Sequence, residues 1–215
     1  MDNAVALVQA YLRVNGYFTV AEYPVLEATR DGGYRAATDL DVLAFRFPHA
    51  GRLTPARGRG AAGDRVEATP DPALGAPAEH ADMIVGEVKE GRAVLNEAAT
   101  HPAVLRAALV RFGCCAASEA PLLVERLLRE GRALLPVGHA VRVVAFGSTV
   151  DGTSGDRYHA VSLGHAVRFL QDYLRHHWEA LRSTDHKDPV FGLLVLLEKT
   201  LREPRGAAGK RRSAR

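Results

Sequence analysis

Between Gly138 and Gly147 lies a short apolar run, Ala140 to Phe146, that is strand-length and rich in valine. A run of this kind reads as a strand buried on both faces, and such a strand needs a sheet with cover on each side. The flanking segments supply the cover. Ala4, Val5, Val8, Tyr11 and Leu12 recur at helical spacing after a cap at Asp2 or Asn3, and Asn15-Gly16 stops them. Tyr17 to Leu26 and about Thr38 to Phe47 predict two strands joined at Asp31-Gly32-Gly33, hence an antiparallel hairpin. Met83 to Lys89 predicts a third strand. Pro102 opens a helix with Val104, Leu105, Ala108, Leu109 and Phe112 on one face, and Ser118 is placed to cap another carrying Leu122, Leu123, Leu127 and Leu128. Tyr158 to Leu163 adds a strand, Gly164 to Arg182 a long amphipathic helix, and Asp188-Pro189 starts a last apolar helix to about Leu201. The order predicts an α/β fold, a mixed central β-sheet flanked by helices with a C-terminal helical extension.

The 215 residues suit one domain, expected over 1–203 with its C-terminal helices at 164–203. Ala50 to Asp82 holds nine Ala, five Gly and four Pro without periodicity, which predicts a long surface loop over 50–82. With 47% hydrophobic and 25% charged residues the chain is neither disordered nor collagenous. The net charge of +3 is local: Arg205, Lys210, Arg211, Arg212 and Arg215 leave 23 basic against 25 acidic residues elsewhere. Residues 204–215 therefore read as a flexible basic tail, solubilising or phosphate-tracking. Cys114 and Cys115 are adjacent, which gives no disulfide framework and no zinc knuckle. No leader-like start and no run of about 18 apolar residues occurs, so no membrane partner and a cytoplasmic location are expected.

Two strands carry charge where apolar residues belong. Asp41 continues the stripe of Leu43, Phe45 and Phe47, and Glu87 and Lys89 continue that of Met83 and Val85. Burying such groups costs several kcal/mol unless they pair or hold a cation. Two carboxylates and a lysine at neighbouring strand ends suit Mg²⁺ or Mn²⁺, which accept carboxylate, carbonyl and water ligands. Such an ion polarises a phosphate and acidifies water, while Lys89 orients that water or stabilises developing charge, so the chemistry would be phosphodiester hydrolysis. An ion pair of Lys89 with Asp41 or Glu87 near a solvated strand end explains the spacing equally well.

Thr38-Asp39-Leu40-Asp41-Val42-Leu43-Ala44 followed by Ile84-Val85-Gly86-Glu87-Val88-Lys89 resembles the core of the PD-(D/E)XK, or restriction-endonuclease-like, nuclease superfamily. The likeness covers about Ala4 to Phe146 and is closest to Mrr-type and defence-effector branches. It implies a restriction-endonuclease-like core in which Asp41 and Glu87 are metal ligands and Lys89 is the catalytic lysine. The Val88 carbonyl would be an extra ligand, and Asp39 and Glu22 auxiliary acids. No proline precedes the aspartate, and the loop between the two strands is longer than compact members use.

Gly147 to Ser154 outlines a phosphate loop, but Thr153 stands where lysine is needed. The histidines, His159, His165, His176, His177 and His186 among them, lack a zinc-binding spacing. Arg106 and Arg111, with Arg126, Arg129 and Arg132, form one candidate nucleic-acid surface; Arg168, Arg175 and Arg182 form another, and Lys210, Arg211 and Arg212 a third. Asp172 and Glu179 stand four residues after Arg168 and Arg175, which predicts i,i+4 ion pairs instead. The last helix, apolar nearly all round, predicts burial in the core or against another subunit, and hence a homodimer or larger complex. The expected function is a metal-dependent nuclease favouring DNA. The alternative is a catalytically inactive nuclease-fold subunit that binds nucleic acid or protein in a defence or repair complex.

Overall fold

A computed structural model describes residues 2–50, 70–150 and 158–202. The fold is α/β, with a mixed six-stranded sheet flanked by helices. Helix α1 (Asn3–Val14) starts at Asp2, whose side chain accepts from Ala4 N–H, and stops at Asn15. Strands β1 (Phe18–Ala28) and β2 (Tyr34–Arg46) form the antiparallel hairpin. Strand β3 (Ala81–Arg92) pairs antiparallel with β2 and parallel with β5 (His139–Thr149). Between them come helices α2 (Pro102–Arg111) and α3 (Ala120–Glu130) and the short strand β4 (Arg132–Leu134). Strand β6 (His159–Ser162) runs parallel to β5 and leads into α4 (Leu163–His176), α5 (Trp178–Leu181) and α6 (Pro189–Arg202). The main strand order is β1-β2-β3-β5-β4, with β6 also paired to β5.

The sheet has a core on each face, as the apolar run at β5 requires. On one side Val42, Ala44, Ile84, Val88, Val144 and Phe146 pack against α1, α4 and the inner side of α6. On the other, Leu43, Met83, Val85, Val141 and Val143 pack against α2 and α3 through Leu105, Ala108, Leu109, Val124 and Leu127. Cys114 belongs to this second core beside Met83, and burial pushes its thiol up to about 11.

Several expectations need correction. Glu119, not Ser118, precedes α3, and its carboxylate accepts from Ala116 N–H instead of a helix amide. Leu122 is exposed, because α3 turns Leu123, Val124 and Leu127 inward. The long helix ends at His176, and α5 follows as a separate turn. Phe47 leaves the stripe for solvent and meets Phe18 and Phe45 edge-on. The region 50–82 is not all surface loop. Pro72–Leu74 form a 3₁₀ turn in which Asp71 and Leu74 are buried. Asp71 accepts from the Tyr11 hydroxyl at 2.7 Å and contacts His165 Nε2 at 2.6 Å, while Asn15 Oδ1 accepts its backbone N–H. The three-residue strand β4 has no counterpart in the expected order.

Strands β3 and β5 approach so closely at Gly147 that a Cβ there would overlap the backbone nitrogen of Ala93. Ala93 N–H also donates to Thr149 O at 2.9 Å, so neither backbone is free to yield. Gly147→Ala is therefore expected to destabilise the fold by about 2 kcal/mol or more, measured by urea unfolding. A loss below about 0.5 kcal/mol would contradict so tight an approach.

Candidate metal and catalytic site

Asp41 lies where β2 and β3 part. Their last paired residues are Val42 and Gly86, and beyond them the Asp41 side chain takes the place of the ladder, its Oδ2 accepting from Val88 N–H at 2.8 Å. The hairpin is distorted opposite this point. Glu22 has a left-handed φ of 51°, and it sits between the register pairs Ala21–Val42 and Tyr23–Leu40. Bends of this kind re-aim side chains where pairing ends.

Glu87 and Lys89 lie on β3 in unbroken register with β5, on the face that carries Met83 and Val85. Asp41 reaches them at a break in the alternation of β2, where Leu40 and Val42 pack in opposite cores, and its carboxylate acts on both Glu87 and Lys89. The three groups meet toward the carboxyl end of β3, on the side covered by α2 and α3, where open α/β sheets commonly bind ligands. Glu87 is buried, 3% exposed. Lys89 Nζ is 2.5 Å from its Oε1, with a 40% exposed side chain. That ammonium is the contact of Oε1, a buried oxygen with no further hydrogen-bond partner among the described residues.

Burial is the main force pushing the Glu87 carboxyl above the usual carboxylate range; Asp41 adds to it, while Lys89 and the Asn96 side chain oppose it. The Lys89 ammonium is raised by its contact with Glu87, with a further contribution from Asp41. A carboxyl raised on folding favours the fold while protonated, and that stability is lost as pH rises through the raised value. Glu87→Gln is accordingly expected to raise the metal-free melting temperature at pH 8 by roughly 2–4 °C. The gain should vanish below about pH 4, where both proteins are neutral at this position. Thermal melts at the two pH values check this, and a variant that melts below wild type at pH 8 contradicts it.

The other predicted residues do not join this cluster. Asp39 is exposed and paired with Pro24. Glu22 is exposed, and its Oε1 accepts from Asp2 N–H at 3.3 Å, at the start of α1. Among the described residues no three His, Cys, Asp or Glu side chains form a metal-holding group. A cation here would have Asp41, Glu87, backbone carbonyls such as that of Val88, and water, the donor set that Mg²⁺ tolerates. A buried carboxylate beside a second one, held against the cationic Lys89 ammonium, fits that group. Asn96 was not foreseen; its Oδ1 accepts from Ala98 N–H and its carbonyl from the Thr100 hydroxyl, which fixes the turn beside Glu87. No spacing rule in the sequence marks it.

The arginines divide between the two sheet faces. Arg106 and Arg111 are exposed on α2, on the site's face. Arg168 and Arg175 lie on α4, which packs on the opposite face. The expected i,i+4 pairs are replaced by Arg175–Asp172 at 3.4 Å and Arg182–Glu179 at 3.0 Å, both at i,i+3, and Arg175 also reaches Glu198 at 3.6 Å. Lys210, Arg211 and Arg212, like Thr153 and Ser154, lie outside the described residues. Among the described residues no helix is long and apolar enough to cross a membrane. The chain matches no family model, no curated protein and no solved structure.

Proposed function

We propose that this chain is a divalent-metal-dependent phosphodiester hydrolase with DNA as its favoured substrate, built on a restriction-endonuclease-like core. One observation carries the reading: Asp41, Glu87 and Lys89 come together where β2 and β3 part, with the Glu87 carboxylate buried and its Oε1 held 2.5 Å from the Lys89 ammonium. Asp41, Glu87 and the Val88 carbonyl would hold Mg²⁺ or Mn²⁺, and such an ion supplies Lewis acidity toward a phosphoryl oxygen and toward water. The Val88 amide fixes Asp41 in one orientation. Burial deprives Glu87 of hydration, so it favours a cationic neighbour or a proton. Lys89 is exposed enough to swing from Glu87 to a phosphate oxygen, where its charge opposes the negative charge that builds during displacement. Arg106 and Arg111 offer backbone phosphate contacts on the same face.

The test is cleavage of linear, circular, single-stranded and RNA substrates with Mg²⁺ or Mn²⁺. Cleavage that depends on the metal and on Asp41, with duplex DNA preferred, is expected; equal activity in Asp41→Asn would overturn the assignment. A second reading, a non-catalytic nuclease-fold subunit, draws on the ion pair by which Lys89 already neutralises Glu87. It predicts salt-sensitive DNA binding with no cleavage under any of these conditions.

A further inference from the structure

The outer side of α6 is inverted relative to a solvated helix. At 3.6 residues per turn, Leu193, Leu196, Leu197, Thr200 and Leu201 lie on one side, opposite the buried Phe191 and Val195. The exposures of these leucines are 54%, 59%, 50% and 77%, in chain order. Two of the helix's three charges, Glu198 and Arg202, are engaged elsewhere. Glu198, with a 14% exposed side chain, accepts from Arg202 Nε at 2.7 Å and lies 3.6 Å from Arg175 Nε. The Arg202 guanidinium sits 4.6 Å from the centre of the Trp178 ring. Polar groups thus tie α6 to α4 and α5, while leucines face solvent, the reverse of an ordinary amphipathic surface helix.

The remainder of this chain lacks the side chains to cover that stripe. Residues 203–215 and 151–157 contain no Val, Ile, Leu, Met, Phe, Tyr or Trp, and residues 51–69 contain only Leu53 and Val66. We infer that α6 packs against α6 of a second copy about a two-fold axis passing near Leu197. Leu193, Leu197 and Leu201 form a single i±4 ridge, and two such ridges interdigitate at a crossing angle near −50° with axes about 8–10 Å apart. Leu197 then meets Leu197 of the partner subunit, and Leu193 meets Leu201 of the partner subunit. Near a two-fold axis each group faces its own kind, so a charge in the patch would repel itself. This patch contains none. Its four leucines supply the apolar centre of an interface that hides about 800 Å² per partner in stable complexes, with Thr200 and Lys199 toward the rim.

Sedimentation velocity of the full chain over about 1–100 μM is expected to show twice the monomer mass of 23.2 kDa. Leu197→Asp should weaken association at least tenfold, with an unchanged circular dichroism spectrum. Cross-linking provides a second test in a Cys115→Ser background. On oxidation Leu197→Cys should link to itself, whereas Leu193→Cys and Leu201→Cys should link when mixed and not singly. A wild type that stays monomeric throughout overturns the inference, whether or not it pellets with anionic vesicles. So does a dimer that is indifferent to Leu197→Asp.

Discussion

Lys89→Ala is expected to lower the rate of DNA cleavage by about 10²–10³-fold, the usual loss when one preorganised charge or donor is removed from a developing anion. The same change should also destabilise the fold at neutral pH, because it leaves the buried Glu87 carboxylate without its cationic neighbour. Removing the ammonium also removes a contact that lowers the Glu87 pKa, so the residual activity should need a higher pH to reach its plateau. Asp41 separates charge from structure more cleanly. Asp41→Asn retains an acceptor for Val88 N–H and loses the charge, whereas Asp41→Ala leaves that buried amide unpaired at a cost of about 1–3 kcal/mol. If Asn and Ala are equally inactive but only Ala melts early, Asp41 has both roles. Initial rates on plasmid DNA, with thermal melts of each protein, provide the check, and a Lys89→Ala enzyme within about twofold of wild type would remove lysine from the chemistry.

Asp82→Ala is expected to be the most destabilising single change, by about 3–5 kcal/mol. Asp82 is fully buried at the start of β3. It accepts two hydrogen bonds from Arg142, from Nε at 2.9 Å and from the terminal nitrogen at 2.7 Å, and a third from the Tyr17 hydroxyl at 2.5 Å. Arg142 in turn donates to Leu74 O at 2.9 Å, so the network ties β3 and β5 to the 3₁₀ turn. Removing the carboxylate strands a guanidinium in a site that excludes water, and for a chain of this size the melting temperature should fall by about 10 °C or more. Replacing both partners, Asp82→Leu with Arg142→Met, removes the stranded charge and should recover much of the loss. Urea titration of the three proteins measures the coupling. A single variant that loses less than about 1 kcal/mol would mean that water reaches the pair. The network anchors the same strand that carries Glu87 and Lys89 further along, so its failure should also disable the site.

The parts of the fold that could be read from sequence are those fixed by neighbours in the chain. Asp2 and Asp188 accept from the first amides of α1 and α6, and Asn15 closes α1, each within a few residues of the helix it limits. Alternation along β3 puts Glu87 and Lys89 on the face of Met83 and Val85, whereas along β2 it breaks at Asp41, with Leu40 and Val42 in opposite cores, so period two alone does not place Asp41. What could not be read depends on long separations. Asp71 and Leu74 look like loop residues until Tyr11, Asn15, His165 and Arg142 are brought to them from 56 to 94 positions away. Strand β4 has three residues, too few for any period to register. The arginine pairs ran at i,i+3 instead of i,i+4 because both spacings are neighbours on a helix and the rotamer decides. The apolar character of α6 was visible, yet which of its sides the core would take was not.

The central claim is that Asp41 and Glu87 jointly hold a divalent cation where β2 and β3 part. Manganese titration followed by electron paramagnetic resonance counts bound ions directly, without DNA or turnover. Wild type should bind one Mn²⁺ per chain, Asp41→Asn and Glu87→Gln should each lose that site, and Lys89→Ala should keep it. Binding that is absent from wild type, or that survives in both carboxylate variants, would contradict the account.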